Sequence, residues 1–184
     1  MFGSDDYYVQ SAQQGDQEAM AFIYDSHYPA VFRYIYYRIR DQSSSEDLAA
    51  EVFVRMIEHI KSYRLRGKPI LAWLYTIAHN LVADYFYEQS RGNVELPEDK
   101  LMENDPHQPA QVAERHQEKE CLEKAMLHLT EEQRQLILLK FIEDYEVAEV
   151  AEVMGKNERA IRSLQHRALY ALNRAFEKEG CYGS

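Results

Sequence analysis

Two groups of basic side chains in this sequence are suited to binding the phosphates of nucleic acid. The first group combines four cations with an aromatic ring, and residues 59–83 around it contain no acidic side chain. Its members are Lys61, Tyr63, Arg64, Arg66 and Lys68. Cations hold a sugar-phosphate backbone and aromatic rings stack on unpaired bases, so this group favours single-stranded nucleic acid.

The second group lies near the C-terminus and adds polar side chains that can read base edges. Its members are Arg159, Arg162, Ser163, Gln165, His166 and Arg167. Residues 129–154 hold two basic and seven acidic residues, whereas residues 155–178 hold six basic and two acidic residues. A helix in the major groove of DNA needs cations for phosphates and polar groups for bases. An amphipathic helix with a solvated basic face is the alternative.

The elements predicted around the second group form a helix-turn-helix. Thr130 and Gln133 form a capping box that begins one helix, and residues 147–154 have the apolar spacing of a short second helix. Gly155 ends that helix, and Asn157 caps a longer and more basic third helix. This order is typical of DNA-binding helix-turn-helix units and favours DNA binding over the solvated face.

A pair of carboxylates, Asp47 and Glu51, shares the outer face of another predicted helix. This helix runs from Ser43, which forms a capping box with Glu46, to about Tyr63, and its inner stripe includes Phe53. No third group converges on the carboxylates as acid–base catalysis would require, so we do not expect an enzyme. A docking surface for a basic partner and a plain solvated face remain open.

The other predicted elements are also helical. Asp16 caps a helix, Pro29 lies in the first turn of the next, and Pro69 begins a long helix to about Gln89 with Trp73 in the core. We predict an all-α fold with two small helical domains, residues 1–91 and 111–184. An acidic, flexible linker, residues 92–110, joins them, and the C-terminal domain is the helix-turn-helix domain.

Composition narrows the function further. The net charge of this 184-residue chain is −10, which argues against indiscriminate DNA binding and favours reliance on a partner. No apolar run approaches the ~20 residues of a membrane span, and no signal peptide is visible, so we expect a cytoplasmic protein without membrane insertion. Cys121 and Cys181 are too few for a disulfide framework and lack zinc-ligand spacing, so we expect no metal and no cofactor.

Three sequence motifs, taken in order, resemble a known family. Residues 46–53 (EDLAAEVF) and residues 73–80 (WLYTIAHN) are similar to motifs of sigma-factor region 2. Residues 149–155 (EVAEVMG), followed by residues 161–163 (IRS) and 167–168 (RA), are similar to region 4. The chain, over residues 15–176, therefore resembles the bacterial extracytoplasmic-function (ECF) sigma factors, which have these two domains.

The resemblance implies a role for each group of residues. A helix with Asp47, Leu48, Glu51 and Phe53 would bind core RNA polymerase. The melted −10 promoter element would be bound by Lys61, Tyr63, Arg64, Arg66, Lys68, Asn80, Asp84, Tyr87 and Arg91. The −35 element would be read as duplex by Arg159, Arg162, Ser163, Gln165, His166 and Arg167. The family's usual regulator, an anti-sigma factor, is a further expected partner.

Two points are left open by these motifs. After Asp84 the family usually has several arginines, whereas this chain has Tyr85, Phe86 and Tyr87 and then only Arg91, and this aromatic run could contact DNA or protein. The second possible function is a helix-turn-helix regulator that binds duplex operator DNA without polymerase. The basic group at residues 61–68 and the motif at residues 73–80 argue against it.

Overall fold

The computed structural model describes residues 2–64, 67–92 and 110–181, and within these ranges the chain is helical without strands. The N-terminal unit contains α1 (Phe2–Gln13), α2 (Gln17–Ile39), α3 (Gln42–His59), a 3₁₀ turn (Ile60–Ser62) and α4 (Ile70–Arg91). The C-terminal unit contains α5 (Ala110–Leu127), α6 (Glu131–Ile137), a π-helical turn (Leu138–Ile142), α7 (Val147–Met154) and α8 (Glu158–Glu179). The all-α prediction is confirmed, while the predicted linker lies almost entirely outside the described residues.

The starts of α2 and α3 are set by aspartate caps. The Asp16 carboxylate accepts from the N–H of Glu18 at 3.0 Å, as predicted. The predicted capping box of Ser43 and Glu46 is wrong, because Asp41 accepts the Ser44 N–H at 2.8 Å and α3 begins at Gln42. Aspartate and serine cap equally well, so packing decides between them: starting here buries Ser45 completely.

Pro29 does not begin a new helix, contrary to the prediction. It lies inside α2, which continues unbroken to Ile39. A proline in a helix interior removes one hydrogen bond, which is tolerated only where packing compensates. The residues that follow supply this packing, since Val31 and Ile35 are fully buried and α2 contacts α1, α3 and α4.

The segment after α3 is attached to the first helix of the chain. The Gln13 side-chain amide donates to the carbonyl of Ile60 at 3.0 Å and to that of Tyr63 at 2.7 Å. These bonds satisfy carbonyls at the helix end, where no intrahelical donor remains. They fix the point at which the basic segment leaves the N-terminal unit.

The helix-turn-helix is formed by the local signals predicted for it. Thr130 and Gln133 form the capping box, with bonds of 3.0 and 3.3 Å. Gly155 has φ 64°, the left-handed conformation that ends α7, and the Asn157 side chain accepts the Ala160 N–H at 2.8 Å. The turn between α7 and α8 is therefore held from both sides.

The C-terminal unit is also closed covalently. Cys121 on α5 and Cys181, after the end of α8, form a disulfide across a sequence separation of 60 residues, with Cα atoms 5.7 Å apart. The sequence did not predict this pairing, since two cysteines carry no spacing signal that distinguishes a bridge from two free thiols.

The two helical units share one apolar core. A continuous buried cluster includes Ile23 and Leu74 of the N-terminal unit and Leu136, Val153 and Ile161 of the C-terminal unit. At the boundary, α2 contacts α5 and α4 contacts α7. The units are thus packed against each other, although the sequence between them reads as a linker.

Candidate nucleic-acid interface

The outer face of α8 carries the predicted −35 residues. Its inner face is fixed by Ile161, Leu164 and Ala168, which are buried. Arg159, Arg162, Ser163, His166 and Arg167 are exposed, and Gln165 is half-buried. Arg162 donates to the carboxylate of Glu158, one turn earlier on the same helix, at 2.9 Å. A polar, mostly cationic surface of this kind can contact phosphates and base edges.

The predicted −10 segment is organised around two stacked rings. The rings of Tyr63 and Trp73 are parallel, with centroids 4.4 Å apart and an interplanar angle of 16°. Trp73 packs against the apolar core, as predicted, but its side chain is only partly buried. Lys61, Arg64 and Lys68 are exposed nearby, and Arg66 lies outside the described residues. Burial raises the pKa of Tyr63, with Asp6 adding to the effect.

The remaining predicted −10 residues form a line along α4. Asn80, Asp84, Tyr87 and Arg91 are all exposed at helical spacing on this helix. The Arg91 guanidinium lies 5.6 Å from the centre of the Tyr87 ring, within cation–π range. Phe86 is also exposed, but it lies on a different face of α4 from this line.

The predicted polymerase-binding helix, α3, presents only some of its proposed residues. Asp47 is exposed, Leu48 is half-buried, and Glu51 accepts from Arg55 at 2.9 Å. Phe53 is only 3% exposed, and its ring centre lies 4.8 Å from that of Tyr24. A direct contact of Phe53 with a partner is therefore not supported, because this side chain packs α3 against α2.

A half-enclosed cavity of about 500 Å³ lies between the two units, beside the stacked rings. Its N-terminal wall includes Tyr63, Arg64, Lys68 and Trp73, and its C-terminal wall includes Glu131 and Met154. The Lys68 Nζ atom lies 3.3 Å from the position that a Cβ atom on Gly155 would occupy. The helix-turn-helix thus forms one side of the predicted −10 site.

Ion pairs cross the boundary between the units. The Arg38 side chain, only 4% exposed, donates to both carboxylate oxygens of Glu131, which also accepts from the Tyr34 hydroxyl at 2.8 Å. Burial by itself raises the pKa of Glu131, but the hydrogen bonds from Arg38 and Tyr34 lower it below the usual value. Arg33 donates to both oxygens of Glu143, at 2.5 and 2.7 Å.

The ion pairs between the two units could not be predicted from the sequence. Arg38 and Glu131 are separated by 93 positions and Arg33 and Glu143 by 110, so no local pattern connects them. One signal was available: Arg33 and Arg38 interrupt the otherwise aromatic and apolar stretch from Phe32 to Ile39. A buried arginine needs a carboxylate partner, although the sequence does not say which one.

The described part of the chain contains no group of three or more histidine, cysteine, aspartate or glutamate side chains that could hold a metal ion. Among the same residues, none of the helices combines the length and the apolar character that crossing a membrane requires.

Comparison with known sequence families gives two matches. The profile of Sigma-70 region 2 matches residues 23–92, and the profile of Sigma-70 region 4 matches residues 119–172. The first range covers α3, the stacked rings and α4, and the second covers the helix-turn-helix through most of α8.

Individual relatives agree with these matches. The chain is 38% identical over 174 residues to the ECF RNA polymerase sigma factor BldN of Streptomyces coelicolor, a match covering 90% of this chain and 63% of BldN. It is 32% identical over 186 residues to the ECF RNA polymerase sigma factor SigD of Mycobacterium tuberculosis, covering 96% of this chain and 86% of SigD. A co-crystal structure of the sigma factor RpoE with the anti-sigma factor NepR from Bartonella quintana has a similar fold. Its TM-score is 0.60 at 18% identity, covering 85% of this chain and 96% of that chain.

Proposed function

The chain belongs to the ECF branch of the sigma-70 family, and from this premise we propose that it directs core RNA polymerase to promoters. Such a protein is a transcription initiation factor and not an enzyme. It works in the cytoplasm, where it binds polymerase and recognises the −10 and −35 elements of promoter DNA.

The outer face of α8 is the observation that carries this proposal. Arg159, Arg162 and Arg167 project from the third helix of a helix-turn-helix, away from a buried apolar face. The preceding turn is fixed by Gly155 and Asn157, so the helix can enter a groove as a rigid body. We assign this face to the −35 duplex and residues 111–184 to region 4.

The N-terminal unit is assigned to the −10 element and to polymerase. Residues 1–91 form region 2, in which the stacked Tyr63 and Trp73 and the nearby cations suit a melted strand. Asn80, Asp84, Tyr87 and Arg91 extend this surface along α4. The exposed part of α3, with Asp47, Leu48 and Glu51, binds the polymerase, and residues 92–110 link the two regions.

An anti-sigma factor completes the proposed set of partners. The RpoE structure, which has a similar fold, contains the anti-sigma factor NepR, and this supports the same kind of control here. Co-purification from the native host under resting and stressed conditions tests it. Recovery of polymerase alone under both conditions would argue against an anti-sigma partner.

Run-off transcription tests the function itself. The reaction combines purified bacterial core polymerase, this protein and a library of promoters with varied −10 and −35 elements. We expect transcripts that depend on this protein and are enriched for particular elements. Absence of transcripts, together with binding of a palindromic duplex without polymerase, would instead identify a helix-turn-helix regulator.

A further inference from the structure

We infer that the C-terminal unit is an internal partner of the −10 surface, and that contact between them holds the chain in a closed state that competes with the melted −10 strand. This inference rests on the proposed function, because it assigns a regulation to the same site. Three observations support it. Two arginines of α2 form ion pairs with the C-terminal unit, the charges on the two sides of the cavity are complementary, and the cationic face of α8 is exposed.

Two arginines of α2 are bound by carboxylates of the C-terminal unit. Arg38 of α2 is held by both oxygens of Glu131 and by the backbone carbonyl of Tyr34, and its guanidinium carbon lies 3.4 Å from the centre of the Tyr34 ring. Arg33 holds Glu143 through two parallel bonds. Arginine binds a phosphate with the same forked geometry that it uses for a carboxylate. The carboxylates of the C-terminal unit therefore occupy positions where arginines of region 2 could hold phosphates.

Charge is complementary across the cavity. Residues 59–83 carry no acidic side chain, whereas residues 129–154, which include α6 and α7, carry seven. The Oε1 atom of Glu131 lies 3.9 Å from the Nδ1 atom of His79 on α4, beside the stacked rings of Tyr63 and Trp73. A nucleic acid strand that follows these rings would have to displace this carboxylate from Arg38 before a phosphate could bind the guanidinium.

The α8 face is not involved in the closed contact. Arg159, Arg162 and Arg167 are exposed on the side of α8 opposite its buried residues. The closed chain can therefore still bind a −35 duplex, while its −10 surface faces Glu131. Closure should therefore weaken binding of the −10 strand and leave binding of the −35 duplex unchanged, whereas a general loss of DNA binding would weaken both.

Opening is the favoured response to loss of Glu131. The Arg38 side chain is only 4% exposed, although that of Glu131 is 42% exposed, so removing the carboxylate leaves a buried guanidinium without a compensating charge, which is unfavourable. Because Arg38 lies at the boundary between the units, separation of the units returns its guanidinium to water without unfolding either one. A Glu131→Gln variant should therefore populate the open chain, and Glu143→Gln should act in the same direction through Arg33.

The experiment compares four full-length proteins: wild type, Glu131→Gln, Glu143→Gln and the control Glu120→Gln. Glu120 forms an exposed ion pair with Lys124, at 2.7 Å, so the control removes one carboxylate from an ion pair that lies within a single helix, α5. Binding of a fluorescent single-stranded oligonucleotide with a randomised centre is measured by anisotropy. Binding of a −35 duplex and the radius of gyration in solution are measured on the same samples.

We expect both boundary variants to bind the single strand on the order of tenfold more tightly than wild type and control, since affinity scales with the fraction of open chain. Their radii of gyration should increase, and their affinity for the −35 duplex should be unchanged. Equal single-strand affinity of all four proteins, or larger radii without a gain in affinity, would overturn the inference. If Glu131→Gln also weakens duplex binding, its C-terminal unit is damaged and Glu143→Gln decides the question.

Run-off transcription on the same four proteins separates this inference from the proposed function. If wild type initiates transcription but the boundary variants bind the single strand no better, closure is wrong and the sigma-factor function stands. If none of the four supports transcription while the variants still gain affinity, closure stands and the proposed function is wrong.

Discussion

Single residues on α8 offer the most direct way to separate the two proposed DNA sites. Arg162 and Arg167 are exposed and their removal leaves no buried group unpaired, so truncation should affect binding and not folding. We expect Arg162→Ala and Arg167→Ala each to weaken −35 duplex binding by about 1–3 kcal/mol if the contact is direct. Fluorescence anisotropy with a labelled −35 duplex measures this change.

Asn80→Ala serves as the matched variant in the other unit. Asn80 is exposed on α4, so its loss should change base preference at the −10 element and leave −35 binding intact. Base preference is measured by run-off transcription from promoters that vary at −10. Equal effects of Asn80→Ala and the two arginine variants on the −35 duplex would refute the division of roles.

Among the helical elements, the turn between α7 and α8 allows a paired test of backbone conformation. Gly155 and Gly180 both have left-handed φ angles, of 64° and 68°, so alanine at either position should lower the free energy of unfolding by about 1–2 kcal/mol. A Cβ atom at Gly155 would also meet Lys68, whereas at Gly180 nothing lies within 4 Å. Gly155→Ala should therefore also disturb the contact between the units.

Urea unfolding of Gly155→Ala and Gly180→Ala measures the shared backbone cost, and single-strand binding detects the additional effect at Gly155. Because Lys68 meets Gly155 with the flexible end of its side chain, we expect the added effect to be small. A Gly155→Ala protein as stable as wild type would contradict the left-handed assignment of this turn.

The disulfide between α5 and the end of α8 should stabilise the C-terminal unit. In the chain-entropy account, a bridge across 60 residues stabilises a fold by about 4 kcal/mol, because it restricts the unfolded chain. Cys121→Ser should therefore lower the free energy of unfolding of the oxidised protein, measured by urea denaturation. Reductant should lower the stability of wild type to a similar extent and leave Cys121→Ser unchanged.

Some features of the helices could be predicted from the sequence and others could not. The difference is how far apart in the sequence the interacting residues lie. The caps at Thr130 and Asn157 use atoms three residues away, so their residue types were sufficient. Pro29 was misleading, because a proline in the first turn and a proline inside a well-packed helix have the same local sequence. Asp41 and Ser43 are both good caps, and only the burial of Ser45 distinguishes them.

In the whole molecule, the two units meet through side chains that no sequence pattern could pair. The residues proposed for the −10 and −35 elements were identified from charge, spacing and a family resemblance; most of those described are exposed, and their roles stay predictions. Part of their setting could not be predicted: Trp73 stacks on Tyr63, and Glu131 reaches Arg38 from 93 positions away. The burial of Phe53, in contrast, agrees with its place on the predicted inner stripe of α3. These contacts depend on how the units pack.

The burial of several tyrosine hydroxyl groups predicts that the folded protein loses stability at alkaline pH. Burial, with nearby carboxylates, raises the pKa of Tyr36 and of Tyr145 to about 12, and burial raises the pKa of Tyr34 and Tyr75 as well. Each neutral hydroxyl is thus favoured in the folded chain. Its stabilising contribution is complete below the ordinary pKa of 10 and is lost as the pH rises through the folded value.

Absorbance of tyrosinate at 295 nm, recorded together with circular dichroism, tests this expectation. A subset of tyrosines should ionise only well above the ordinary tyrosine pKa of 10, and helicity should fall with that step. Ionisation of all tyrosines in a single step near their ordinary pKa would show that the boundary between the units is open in solution.

The bridge between Cys121 and Cys181 has a mechanical consequence. Tension applied to the ends of the oxidised chain passes through the sulfur atoms, so residues 122–180 between the two cysteines, including the helix-turn-helix, carry no load. Under optical tweezers, the oxidised protein should extend by roughly 210 Å less than the reduced protein when fully unfolded, at about 3.5 Å per residue. The N-terminal unit would yield to force, whereas α6, α7 and α8 lie inside the covalent ring and would not be pulled on directly.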